Sequence, residues 1–175
     1  ENLYTEVLRY VVLKGDRRRP SGIIADQDER LDTPEGIAGV IYQIVMEEYT
    51  SLFTPDFPRW YGRLLMRSLL DPSPSLHTVV EQIFQPDHEA LKAIVKRVRP
   101  DMSEREARLW ALAFLGQIAF FEFARVPILI LMEKDTYPPD FLTAARDHLA
   151  RMIISGLGLP QPKRSVSAAV APAPV

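Results

Sequence analysis

Three histidines, His77, His88 and His148, are the side chains of this sequence whose unperturbed pKa suits them to general-base or metal-ligand duty near neutral pH. They do not recur at a ligand spacing. Asp87-His88-Glu89, beside Pro86, offers three donors in a row, but consecutive helical residues point in different directions and no second cluster completes a coordination shell. No metal is expected. Ser68 and His77 make a nucleophile-base pair on paper, yet they lack a third group to orient the imidazole and a glycine-rich turn to hold an oxyanion. There is no cysteine, which removes thiol catalysis, a disulfide framework and Cys-ligated zinc. No catalytic residue and no cofactor are assigned, and the chain is not expected to be an enzyme.

The chemistry that remains is recognition. Trp60, Leu64 and Arg67 share one helical face, and Trp110, Phe114, Gln117 and Phe121 share another. A few polar groups among bulky apolar ones are the usual make-up of a small-molecule pocket. Gln117 is the most telling, because a primary amide in an apolar stripe must find a partner or cost about 1–3 kcal/mol on burial. The expected site is a largely apolar cavity bounded by the helices carrying Tyr42, Trp60, His88 and Trp110. Met46, Leu64, Arg67, Phe114, Gln117 and Phe121 complete its lining. Arg67 would meet an anionic ligand group or pair with an acid such as Glu81. The plain alternative is that the aromatics are simply core.

These residues need helices to hold them. From Leu109 to Phe121 the sequence reads LWALAFLGQIAFF, a helix apolar all round and hence expected to be covered on more than one side. Leu109, Leu112, Gly116, Phe120 and Phe123 form a second stripe roughly a quarter-turn from the first. The face Phe141, Leu142, Ala145, Leu149, Met152 and Ile153 on the last helix would join it, giving a homodimer closed by an intersubunit four-helix bundle. A membrane span is the rival reading, since VPILILM follows, but Glu122, Arg125 and Pro127 interrupt the run before the ~18 apolar residues a span requires. A soluble, cytoplasmic protein without membrane contact is expected.

The 175 residues, 47% of them hydrophobic, suffice for one well-cored domain. Helical periodicity recurs and period-2 alternation does not, so the fold class is all-α. Leu3, Val7, Leu8, Val11 and Val12 make a helix over 1–14, and Arg17-Arg18-Arg19-Pro20 opens a loop reaching Asp32. Thr33-Pro34 starts the next helix. Another carries Trp60 to Leu69, and Ser73-Pro74 starts a further one that kinks or breaks at Pro86. Ser103 to Glu106 is a capping box launching the long helix, and Pro138-Pro139 opens the last, which Gly156 and Gly158 stop. The domain is taken as 33–158, with 159–175 a Pro/Ala-rich tail.

Helices in this order resemble the C-terminal effector-binding domain of TetR-family transcriptional regulators, of the CerR-like type. The likeness is carried by ENLYTEVLRYV (Glu1 to Val11), RLLMRSLLDPSPSL (Arg63 to Leu76), the Pro86-containing FQPDHEALKAIV and the LGQIAFFEFAR run. It implies a ligand-responsive, dimeric repressor that grips operator DNA through an N-terminal helix-turn-helix unit, with residues 1–14 as the connecting helix from that missing unit. A formal charge of −2 gives this chain no electrostatic footprint for DNA by itself. The alternative from another class is a helical protein-interaction module without a ligand, in which both apolar stripes serve partner chains.

Overall fold

The computed structural model describes residues 19–53 and 74–162, with isolated helical positions at 3, 6, 7, 10, 60, 64 and 67. Among the described residues every regular element is helical, as the periodicity predicts. Helix α1 (Pro20–Asp26) leads through a 3-10 turn (Asp28–Asp32) into α2 (Pro34–Phe53). Then come α3 (Pro74–Val79), a π turn (Val80–Phe84), α4 (Gln85–Val98), α5 (Glu104–Phe123), α6 (Arg125–Leu131) and α7 (Pro139–Gly156).

Helix α2 is the axis of the domain. Thr33 caps it by accepting from the Gly36 N–H at 3.1 Å, with Pro34 at the first helical position where a missing N–H costs nothing. Its buried positions Ile37, Val40, Ile41, Ile44, Val45 and Tyr49 follow the 3-and-4 spacing of a broad apolar stripe. That stripe packs against α7, α5, α1 and the 3-10 turn, while α4 lies along α5 and α1. One continuous core results, from Ile23 on α1 to Leu159 beyond α7. The 3-10 turn approaches α2 so closely that a Cβ at Gly36 would sit 1.9 Å from the Arg30 carbonyl oxygen.

Helix α5 begins as its sequence dictates. Ser103 Oγ accepts from the Glu106 N–H, and Glu106 Oε2 accepts in turn from the Ser103 N–H at 2.8 Å. Glu106 is held below the usual carboxylate range, first by the Ser103 hydroxyl and then by its backbone N–H. At the far end, the long apolar run is not one rod. Among the described residues no single helix is long and apolar enough to cross a membrane, and α5 and α6 are bent by 65°. Gly158, in the left-handed region at φ 74°, turns the chain after α7 so that Leu159 returns to the core.

Two local expectations are corrected. The stretch read as loop from Arg17 to Asp32 contains α1 and the 3-10 turn. Both are too short to announce themselves by periodicity, and they are held by burial of Ile23 and Leu31. At Pro86 the helix does not simply kink. The π turn ends two residues before it, and α4 restarts with Pro86 in its first turn. A proline ring would clash with the carbonyl four residues back in a regular helix, and the wider turn relieves that clash. The helices expected over 1–14 and 60–69 lie mostly outside the described residues, although positions 3, 6, 7, 10, 60, 64 and 67 are helical.

Candidate functional site

The nominated pocket residues divide according to the helices that carry them. Tyr42, on α2, turns towards α7, where its hydroxyl donates to Asp147 Oδ1 at 3.1 Å. Burial, and then Asp147, pushes the phenol pKa up. Asp147 also accepts from Arg151 Nε at 3.0 Å. Trp110 likewise faces α7, its indole lying over Gly156, where a Cβ would come within 2.7 Å of Cη2. These two therefore lock α7 to the core. Met46 is half-buried against the core and Phe114 fully buried within it. Trp60 is half-exposed and Arg67 exposed, while Leu64 is half-buried.

Further along the α2–α5 crossing the surroundings become aromatic. The Tyr49 ring meets Phe53 at 4.7 Å and the edge of Phe121 at 5.6 Å between centroids. Phe121 in turn reaches Phe141 on α7 at 6.3 Å. Tyr137 stacks on Phe141 and donates its hydroxyl to the Phe121 carbonyl at 2.7 Å. Arg125 lies over the rings of Phe53 and Tyr137 and pairs with Glu122 at 3.2 Å. Sequence reasoning named only Phe121 of this group as pocket lining, because its members come from four helices and a loop whose approach no local pattern encodes.

Among the described residues three polar side-chain atoms are buried without a hydrogen-bond partner: Tyr49 Oη, within this cluster, His88 Nε2 on α4 and Gln117 Oε1 on α5. Each such atom costs about 1–3 kcal/mol, so folding alone does not favour them. Burial drives the Tyr49 phenol far above its ordinary pKa, with the neighbouring Tyr137 adding to the effect. His88 uses its other ring nitrogen, Nδ1, at 3.5 Å from Glu89 Oε1. The sequence singled out Gln117 and His88; Tyr49 escaped notice because it reads as one more apolar residue on the α2 stripe.

Asp87, grouped by sequence with His88 and Glu89, has a different task. Its carboxylate is buried and accepts from Arg19 Nη2, from Ser21 Oγ at 2.7 Å and from the Ser21 N–H at 3.1 Å. It thus supplies to the first turn of α1 the cap that α1's own N-terminal residue does not provide. Among the described residues no group of three acidic or histidine side chains is arranged to hold a metal ion.

The surface of α5 carries the second stripe. Leu112 and Phe120 are more than half exposed, Leu109 and Phe123 lie open beside them, and among the described residues nothing stands within 4 Å of a Cβ at Gly116. From α7, Met152 is open to solvent, whereas Leu142 and Ala145 are partly buried and Leu149 belongs to the core of the subunit itself. The face drawn through Leu149 on periodicity is therefore shared between core and surface. A further apolar group, Val126, Ile130 and Leu131 on α6, is open as well.

Among the described residues, clefts lie elsewhere. One of about 520 Å³ is lined by residues including Asp32, Ile37, Arg97 and Leu159, and one of about 380 Å³ lies beside α6 between Val126 and Asp135. Neither is lined by a nominated effector residue.

A search of curated proteins gave no match to the chain. A family model does match, over residues 38–157, and is described as the C-terminal domain of the HTH-type transcriptional dual regulator CecR. That span runs from within α2 to the residue after α7, so it takes in the aromatic cluster, the three orphaned polar atoms and the open face of α5. The chain belongs to this family, carrying the CecR-type C-terminal domain of a TetR-like transcriptional regulator.

Proposed function

We propose that this domain senses a small hydrophobic or aromatic effector and, as a cytoplasmic homodimer, controls operator binding by a helix-turn-helix unit preceding it. Repression, relieved when the effector binds, is the proposed mode. The observation that carries the sensing role is the set of buried polar atoms without partners, Tyr49 Oη and Gln117 Oε1 foremost, among aromatic side chains. A ligand that met them would convert an energetic liability into binding specificity. Of the residues nominated from sequence, the reading rests on Met46, His88, Phe114, Gln117 and Phe121. It does not rest on Trp60 or Arg67, which are exposed.

Two further features support the rest of the reading. The open row Leu109, Leu112, Phe120 and Phe123 around Gly116, with Met152 on α7, suits self-complementary packing across a two-fold axis. The Asp87 tie to Arg19 and Ser21 joins the first turn of α4, where His88 sits, to the start of α1, which residues 1–14 precede in sequence. Half-site recognition by a dimer holds two reading helices about 34–36 Å apart, so a small shift passed along this tie would spoil the match. A ligand drives such a shift only by its differential affinity; a tenfold preference per site is worth about 1.4 kcal/mol.

Mobility-shift assays test the proposal. The chain extended by the helices preceding Glu1 should bind its own upstream region and release it on adding effector, whereas residues 1–175 alone should not bind. Specific binding by 1–175, or none by the extended protein, would overturn it.

A further inference from the structure

We infer that Tyr49 and Gln117 form the polar handle of the effector site, and that the effector is a neutral aromatic molecule presenting an O–H or N–H donor. The inference rests on the effector-site reading above and narrows its ligand class.

The two side chains lie on α2 and α5, helices that pack against each other. The Tyr49 ring meets the edge of Phe121, and Gln117 precedes Phe121 by one turn on α5, so both side chains are tied to the same stretch of the α2–α5 crossing. Tyr49 is 1% exposed, and neither its hydroxyl nor Gln117 Oε1 has a partner. A carboxamide oxygen only accepts, so its complement is a donor; a phenol can donate back to the same ligand group. A hydroxyl or an N–H next to an acceptor satisfies both.

Charge is disfavoured at this position. Arg125, which lies against the cluster, is already paired with Glu122 and spread over the Phe53 and Tyr137 rings. The same burial that raises the Tyr49 phenol pKa would penalise a carboxylate brought beside it. The rings of Phe53, Phe121 and Phe141 make this part of the core aromatic, a setting that suits a flat apolar body.

Three probes sharing one skeleton separate the possibilities: 2-naphthol, 2-methoxynaphthalene and 2-naphthoate, titrated calorimetrically into the 175-residue chain. We expect naphthol to bind about tenfold more tightly than the methyl ether, the value of one net hydrogen bond, and naphthoate to bind most weakly. In Gln117→Met the naphthol preference should vanish while methoxynaphthalene affinity stays within about twofold. Without ligand, Gln117→Met and Tyr49→Phe should melt at or above the parent temperature, because each removes an unsatisfied buried atom. Equal binding of naphthol and its ether, tightest binding of naphthoate, or variants that melt lower yet keep the naphthol preference would each overturn the handle. If none of the three probes binds, both the handle and the effector reading fall; if all bind alike, the effector reading survives without the handle.

Discussion

Arg19 and Asp87, 68 residues apart in sequence, meet as a part-buried ion pair at the junction of α1 and α4. The carboxylate also takes both donors of Ser21, so one side chain of α4 serves as the N-terminal cap of α1. Replacing Asp87 with Ala would remove the carboxylate that accepts from the Arg19 guanidinium, the Ser21 hydroxyl and the Ser21 N–H. We expect a loss of about 2–4 kcal/mol in urea denaturation, against about 1 kcal/mol for Ser21→Ala, which removes one neutral donor. In the extended regulator, Asp87→Asn should weaken effector-driven release of DNA more than it weakens effector binding.

Self-association and folding are separable on α5 and α7. Leu112→Glu and Phe120→Glu alter open positions, so sedimentation equilibrium should show monomers whose helical circular dichroism is intact. Leu149→Ala, at a core position, should instead cost about 2–5 kcal/mol of stability whatever the oligomeric state. A wild-type chain that stays monomeric at micromolar concentration would refute the dimer.

Glycines give a sharper contrast. At Gly36 an added Cβ meets the Arg30 carbonyl, which is backbone and cannot swing aside. Gly36→Ala should destabilise by about 1–3 kcal/mol or more. At Gly116 there is open space, so Ala should raise the stability of the isolated subunit by about 0.5–1 kcal/mol through helix propensity. If two α5 helices cross at that glycine, the same change will lower dimer affinity, and thermal melts combined with dilution series read both effects.

Acid should loosen the start of α5. The folded-state pKa of Glu106 is depressed by Ser103, so its contribution is present above the ordinary glutamate pKa of about 4.3 and is lost as pH falls through the lower folded value. Stability measured in urea from neutral pH down to about pH 3 should therefore fall less steeply in Glu106→Gln than in the parent. Ser103→Ala should reduce the same slope and also cost about 1 kcal/mol at neutral pH.

What the sequence reveals and conceals follows from the range of the forces involved. Ser103, Thr33 and Pro139 mark helix starts because capping is decided within four residues, and the all-α class follows from periodicity alone. Helix α1 stays hidden because its cap arrives from Asp87, and the role of Asp87 stays hidden because its partners lie at 19 and 21. Gln117 is visible as an anomaly in an apolar stripe, whereas Tyr49 becomes one only when α2 and α5 cross and its hydroxyl is sealed in. Tyr42 and Trp110 have contacts that no local pattern encodes. Both look like pocket residues by type, and in space they also engage α7 through Asp147 and Gly156.

The π turn before Pro86 bears on how this chain can change in length. A π turn takes up one residue more than the α turn it replaces. Losing or gaining a residue between Val80 and Phe84 can therefore be absorbed by exchanging one kind of turn for the other. The same event inside α2 or α5 would rotate everything beyond it by about 100° and present the wrong face to the core. Insertions and deletions within the described helices should concentrate at this turn, and two related chains aligned across it should match on both sides with a one-residue gap between them.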